Sequence, residues 1–476
     1  MTEVSIPAPR VVIAGASGFV GMDLIRRLSQ THQIIALTRS QQASTQLPEH
    51  KNPGIYWMQC NLFSLRQTEA ALVQSDFAFF LVHSMMPAAR LTQGHYDDLD
   101  LMIADNFSRA AAVAGTKRIV YLGGIQPQSG FISEHLRSRL EVEDVLRSRD
   151  ANMVALRAGL ILGPGGSSSL ILVRLVKRLP VLICPPWTSK LSSPVALRDA
   201  VSALVACLDL DKIKPAAYDI DGPELISYLE LMIRAADEMN VRRVFLKFPL
   251  FSTTLSRLWV SLITGNSREL VAPLIQSLLN DMHPGKTAPV FPLGSVRVPL
   301  MSALHQAEMP RMRIEIANGT VAPIANSPSH DSVVSIQRLS LPKNWTSLDV
   351  AKEYAQWLPK VLRPFLRLDV SSDGTLLNFK FIGLRRPLLE LQFVESRSDS
   401  QRTLLLVVGG LLSSTKSSPL SRLEFRVIPH QQVVLAAVLD FTPALPWALY
   451  ASTQAQAHKL IMSLFGRRLR KISQSL

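Results

Sequence analysis

Gly15, Gly18 and Gly21 stand three residues apart. An apolar run, Val11-Val12-Ile13-Ala14, precedes them, and an amphipathic run from Met22 to Leu28 follows. The order reads as strand, tight turn, helix. Each glycine has its own reason. Gly15 allows the chain to reverse at the strand end with a φ that a Cβ forbids. Gly18 lets backbone N–H groups approach a pyrophosphate, and Gly21 lets the helix pack closely on the strand. The helix start then offers unpaired N–H donors and its positive dipole end to phosphates. A second apolar stretch, Gln33–Thr38, follows at the distance of a βαβ unit, which a ligand-free glycine turn does not require. The loop Gly15, Ala16, Ser17, Gly18, Phe19, Val20, Gly21 is therefore the expected cradle of a small-molecule dinucleotide.

The second strand carries the choice of cofactor. It ends Leu37-Thr38-Arg39-Ser40, with no carboxylate where a ribose 2′-OH is usually met. The planar fork of Arg39 suits a 2′-phosphate, and Ser40 adds a hydroxyl. The competing reading is a solvated loop arginine. NADP(H) is expected over NAD(H).

Further along, apolar and amphipathic stretches alternate. Strands are expected at 55–60, 77–82, 118–122 and from 153, and helices at 67–74, 96–114 and 134–148. That alternation implies an α/β fold, a doubly wound parallel sheet, with ligands at the carboxyl ends of its strands. The ends of those strands and their loops supply further candidates: Asn61 and Leu62 beside the adenine, Leu81, Val82 and His83 at the end of the fourth strand, and Leu122, Gly123 and Gly124 at the end of the fifth. His83 either bonds cofactor or substrate, or packs as a satisfied strand-end histidine.

The 476 residues suffice for two or three domains, and 18% charged with 47% hydrophobic residues indicates a globular chain. Cys60, Cys184 and Cys207 follow no metal-ligand or disulfide spacing, so a reducing compartment and no metal are expected. The first residues, MTEVSIPAPR, lack the pattern of a signal peptide, and no window offers about 20 uninterrupted apolar residues. A cytoplasmic protein is expected, with the inner-membrane surface as a peripheral alternative. Of the formal charge of +14, residues 1–225 hold almost none, with 22 Lys and Arg against 20 Asp and Glu. The excess lies in the later half. A basic field suits anionic surfaces, but no basic helix or aromatic-basic motif points to nucleic acid.

The segments GASGFVG, LVHSM, HLRSRLEVEDVLR and LRAGLILGPGG, followed by RDAVSALVACL and YDIDGPELISYLELM, resemble in order the atypical short-chain dehydrogenase/reductase family. The likeness is to its YbjT-type NAD(P)-binding proteins, which are related to NmrA-like sensors and to the NADPH-binding accessory subunit of respiratory complex I. It covers most of residues 8–285. It implies a Rossmann domain over 1–225, and Ala158, Gly159 and Leu160 as backbone contacts to the nicotinamide end. It also implies a helical cap and linker over 226–331, with cap stretches at 255–264 and 273–279. Gly163–Gly166 is expected as a mobile turn before a helix at 170–179.

The departures from that family concern chemistry. Where its active members carry Ser, then Tyr and Lys four residues apart, this chain has Gly123-Gly124, His135 and Arg139. The spacing keeps His135 and Arg139 on one helix face. Arg139 stays protonated and relays no proton as lysine does. His135 titrates in the range of an acid/base, but no residue in the sequence shows what would orient it. Both stay candidates for catalysis, or for merely holding ribose and phosphate.

Residues 332–476 read as a separate α+β unit. A helix is expected at 347–362, then strands at 376–382, 388–394, 403–408, 422–428 and 433–439, alternating as an antiparallel sheet does, then one long helix from 447 to 469. This order, with DFTPALPWALYASTQAQAH, resembles the SRPBCC (START-like) helix-grip fold. The resemblance implies an apolar cavity and an apolar ligand, against the alternative of an ordinary packed core. The basic tail 465–471 suits anionic lipid head groups or a solvated helix end. Three functions follow: a non-catalytic NADP(H) sensor or structural binder, an NADP(H)-dependent oxidoreductase or epimerase-like enzyme on an apolar or quinone-like substrate, and a lipid-binding or membrane-surface module.

Overall fold

A computed structural model describes residues 8–38, 54–82, 89–127, 132–150, 152–248, 276, 278–285, 288–294, 297–309, 315–316, 319–320, 330–414 and 421–475. Arg39, Ser40 and His83 lie outside these residues, as do the cap stretch 255–264, most of 273–279 and most of the expected linker. The chain divides into two compact units. The first joins residues 1–85 to 106–325, and the second joins 86–105 to 326–476. The described residues between 226 and 309 fall within the first unit. Residues 86–105 belong with the tail.

The first unit is built on seven parallel strands. Across the sheet they run Ala217–Ile220, Val154–Ala158, Arg118–Gly124, Phe77–Phe80, Arg10–Ala14, Gln33–Thr38, Ile55–Gln59. The chain starts in the middle, winds to one edge, returns and winds to the other, as a doubly wound Rossmann sheet does. Strands buried on both faces read as continuous apolar runs: RVVIA, QIIALT and FAFF are buried throughout. The core joins Val11, Ile13, Ile34, Phe79, Val120 and Leu156 to Leu24, Ile25 and Leu28 of the glycine-loop helix. The order of strands places a switch point between Arg10–Ala14 and Phe77–Phe80, where ligands of such sheets bind.

Two buried arginines show how this unit satisfies buried charge. Arg118 opens its strand and donates to the carbonyls of Asn152, Cys207, Asp209 and Ile213. It thereby ties the end of the helix Leu197–Ala206 to the sheet. Arg157 donates to both carboxylate oxygens of Glu143 at 2.9 and 3.0 Å. That bidentate geometry is the strong form of an ion pair.

The second unit is an eight-stranded sheet carrying helices. Its order is Leu366–Val370, Leu376–Phe381, Leu389–Phe393, Arg402–Gly409, Arg422–Val427, Val433–Phe441, His330–Ser340, Ala89–Gln93. Neighbours are antiparallel except the last pair, so the expected antiparallel sheet is in fact mixed. The parallel neighbour comes from residues 86–105, far away in sequence. The expected single terminal helix is two, Trp447–Ser452 and Gln454–Ser475, because Thr453 leaves helical geometry at φ −121°, ψ −79°.

Between the helix Ser347–Val361, the terminal helix and the sheet lie aromatic rings. Tyr354 stands 5.1 Å from Phe465 and 5.6 Å from Phe425, and Trp357 stands 5.2 Å from Phe465, measured between ring centroids. The opposite face of the strand Arg422–Val427 is ionic. There Glu424, 1% exposed, accepts from Arg402, Arg422 and Arg426, and Arg426 also pairs with Asp105. Alternation along the strand sends Leu423 and Phe425 to the aromatic side and the charges to the other.

Candidate functional site

The glycine loop lies at the carboxyl end of Arg10–Ala14. Gly15 takes φ +87°, and a Cβ there would lie 2.8 Å from the carbonyl oxygen of Leu81. Leu81 in turn donates its N–H to Ala14 at 3.0 Å, so two of the expected site segments meet at this point. Gly18 donates to the carbonyl of Gly15 at 2.9 Å and caps the helix Phe19–Leu28 without any side-chain hydrogen bond. No acidic residue occupies that helix's first turn. Gly21 sits where a Cβ would come within 2.3 Å of the Gly15 oxygen and 2.8 Å of the Ala16 oxygen. The helix therefore presses its first turn onto the loop. Ala16 is fully buried below, and Phe19 and Val20 pack against the core.

The remaining candidates gather at the same strand ends. Asn61 organises its own turn: its side-chain oxygen accepts from Phe63 N, and its N–H donates to Gln67. The Leu62 carbonyl accepts from the Asn106 amide. Leu122, Gly123 and Gly124 belong to the strand Arg118–Gly124 and pair with Leu156, Arg157 and Ala158. Val82 follows Leu81, half-buried. Gly159 approaches the 278–285 segment closely, since a Cβ there would lie 3.0 Å from the Met282 oxygen. The Leu160 carbonyl accepts from Val195. In the Gly163–Gly166 turn, Gly163 donates to Ser169 Oγ, and the Phe19 ring lies against Gly166. The helix after it runs Ser167–Arg178.

His135 and Arg139 lie on the helix Glu134–Arg147, one turn apart. Ser133 caps that helix by accepting from Leu136 N. Leu136 joins Ile125 and Met282 in a small apolar cluster, which sets the helix start beside Gly124 and Gly159. His135 is half-buried, and burial pushes its pKa below the ordinary value, so the ring is neutral at pH 7. Among the described residues its ring has no hydrogen-bond partner to fix a tautomer or an orientation. A ring held that way can donate a hydrogen bond to an oxygen, but it is a poor store of a proton.

Arg139 is 5% exposed, and burial pushes its pKa down to about 9. Unlike Arg118 and Arg157, its guanidinium meets no carboxylate or carbonyl among the described residues. A buried charge without a partner is costly, and it is the kind of group an anionic ligand completes.

Gln126 escaped the reading of the sequence. It is buried just after Gly124, donates to the Gly124 carbonyl at 3.2 Å, and leaves its side-chain oxygen without a partner among the described residues. Only its place two residues beyond a strand-end glycine pair marked it in the sequence. Among the described residues no three His, Cys, Asp or Glu side chains gather as metal ligands. No described helix is long and apolar enough to cross a membrane.

A family profile described as NAD(P)H-binding matches residues 15–173. Auxiliary protein GraX of Staphylococcus aureus is 32% identical over 119 residues, which are 24% of this chain and 36% of that protein. The chain thus spans about a third of GraX. Ceramide reductase of Caulobacter vibrioides is 24% identical over 293 residues, 55% of this chain and 84% of that one. Among solved structures, Citrobacter sp. triphenylmethane reductase complexed with NADP(H) is 17% identical with a TM-score of 0.49, covering 62% of this chain and 99% of its own. The glycine loop, the strand order around it and the matched profile identify the first unit as an NAD(P)-binding domain of the Rossmann type.

Proposed function

We propose that this protein is an atypical short-chain dehydrogenase/reductase-like binder of NADP(H) that senses the cofactor or uses it as a structural element. The observation that carries this reading is Arg139: a buried cation with no counter-charge, on the helix whose start adjoins Gly124 and Gly159. It stands where the family it resembles has a ribose-binding lysine. His135 stands at the tyrosine position, neutral and without an orienting partner, which favours binding over proton transfer. In the second unit, which we read as a helix-grip fold, an apolar ligand would have to displace the rings of Tyr354, Trp357 and Phe465. That favours the first unit as the part that binds the ligand.

The test is a titration of NADPH, NADP+, NADH and NAD+ into the full chain. NADPH is expected to bind tightest, and Arg39→Ala to narrow the NADPH/NADH preference by roughly tenfold, the worth of a charge-assisted hydrogen bond. An unchanged ratio removes Arg39 from the 2′-phosphate. A second reading, a reductase acting on an apolar carbonyl compound, is favoured by the likeness to ceramide reductase over most of that protein's length. Steady NADPH absorbance in the presence of ceramides, quinones and aldehydes supports the first reading. Its decay supports the second and makes His135 the residue to replace.

Arg139 allows a prediction with two opposite signs. The folded arginine releases its proton at a lower pH, about 9, than the unfolded one does. Between those values the unfolded chain binds more protons, so stability rises with pH there. Below about 9 the empty protein bears the full cost of the buried charge. Arg139→Met is therefore expected to raise the melting temperature of the empty protein, by roughly 1–4 kcal/mol in stability. The same change is expected to weaken NADPH binding about tenfold or more. An arginine with a purely structural role would lower the melting temperature on replacement and leave affinity alone.

A further inference from the structure

We propose that one end of the second unit, residues 360–386, is a docking surface for an anionic lipid bilayer. Two aromatic rings are exposed there and lie against each other. Phe365 is 57% and Phe381 38% exposed, with ring centroids 5.9 Å apart and planes within 12°. Val361, Ile382 and Leu384 are exposed beside them in the chain. The turn that presents them is well formed: Leu384 N donates to the Phe381 carbonyl, Ile382 N donates to Phe365, and Gly383 takes φ +87°. A neighbouring loop adds exposed Leu411, whose N–H donates to the Pro387 carbonyl at 3.0 Å. Soluble surfaces seldom gather this much apolar area without a use for it.

Cations flank these apolar residues along the chain. Lys360, Arg363, Arg367, Arg385 and Arg386 are exposed, and none makes an ion pair or side-chain hydrogen bond among the described residues. Lys380 is occupied by Asp369 at 2.8 Å. The only other acid in this stretch, Asp373, is turned onto Ser371 and Thr375. Exposed apolar residues with exposed cations beside them in the chain match the chemistry of an anionic bilayer interface, with acyl chains beneath and phosphates above.

The basic tail offers less. Phe465 and Leu469 are fully buried in the second unit's core, so Arg467, Arg470 and Lys471 present charge without an apolar face. Arg468 is paired with Glu353 at 2.9 Å. The other occupant to weigh is a second copy joined along the edge strand Leu366–Val370. Arg367 and Asp369 stand exposed on that strand, and charges of this kind discourage edge pairing.

The experiment is co-sedimentation of the full chain with vesicles of phosphatidylcholine alone, or with one third phosphatidylglycerol. The wild-type protein is expected to partition about tenfold better onto the anionic vesicles and to be released by salt. Phe365→Ser with Ile382→Ser, and separately Arg363→Gln with Arg385→Gln and Arg386→Gln, are each expected to abolish this binding. Both variants are checked for native circular dichroism, and the five positions are exposed, so at least one set will fold. Arg467→Gln with Arg470→Gln and Lys471→Gln is expected to bind as wild type. Three results would overturn the proposal: equal partition onto neutral and anionic vesicles, wild-type binding by both folded hairpin variants, or loss of binding through the tail variant alone. Concentration-dependent self-association that vanishes in the hairpin variants, with no wild-type binding to vesicles, would assign the surface to a second copy instead.

Discussion

Gly21→Val is expected to abolish NADPH binding, with affinity falling at least about a hundredfold. A Cβ at this position meets the Gly15 oxygen at 2.3 Å, the Ala16 oxygen at 2.8 Å and the Ala16 Cα at 2.9 Å. All three are backbone atoms, so no side-chain rotation relieves the clash. The helix Phe19–Leu28 has to lift away from the strand Arg10–Ala14, and the loop that should cradle the pyrophosphate opens with it. Overpacking of this kind costs roughly 1–3 kcal/mol of stability. Binding is hurt more than stability, because backbone donors act on a phosphate only within hydrogen-bond distance. Gly18→Ala supplies a graded comparison, since its Cβ would stand 3.0 Å from the Gly15 oxygen. Calorimetric titration beside a melting curve separates the two effects. Wild-type affinity in Gly21→Val would mean that the cofactor binds elsewhere.

Glu424→Gln is expected to destabilise the second unit by roughly 3–5 kcal/mol, the cost of removing one partner from a buried ion pair. Burial pushes the carboxyl pKa up, but the guanidiniums of Arg426, Arg402 and Arg422 outweigh it and hold the pKa well below the usual range. Neutralising Glu424 removes the carboxylate these guanidiniums share, while Arg426 keeps Asp105, Arg422 keeps Asp440 and Arg402 keeps the Arg397 carbonyl. The sign of the pH dependence follows. The folded pKa is depressed, so the contribution is whole above the unfolded value near 4.3 and is lost as pH falls through the folded one. The gap between wild type and variant should therefore shrink below about pH 4. Hydrogen exchange in the strands Arg402–Gly409 and Arg422–Val427 during denaturation reads this locally. A gap that stays constant down to strong acid would show that the charge of Glu424 contributes little.

The two units were unequally legible in the sequence. RVVIA and QIIALT read as strands because burial on both faces makes an unbroken apolar run. The glycines read as a loop because each answers a separate steric demand. Ala89–Gln93, with the sequence ARLTQ, carries no such run. It is a half-exposed edge strand whose partner stands far along the chain, so no local pattern announced it. Leu366–Val370 escaped for a similar reason: only Leu366 in it is buried. The face shared by His135 and Arg139 followed from their spacing. That nothing described would neutralise Arg139 did not, because the absence of a partner is a property of everything packed around a side chain.

The membership of residues 86–105 in the second unit has a consequence for synthesis. Asp98 waits for Arg338, 240 residues later, and Asp105 waits for Arg426, 321 residues later. The ribosome thus delivers the edge strand and two buried carboxylates long before the sheet that receives them exists. Until the tail emerges, Ala89–Gln93 has no sheet to join, and a chain terminated early lacks Arg338 and Arg426. The tail cannot be moved to another protein as a cassette, because its sheet would arrive without Ala89–Gln93 and its arginines without Asp98 and Asp105.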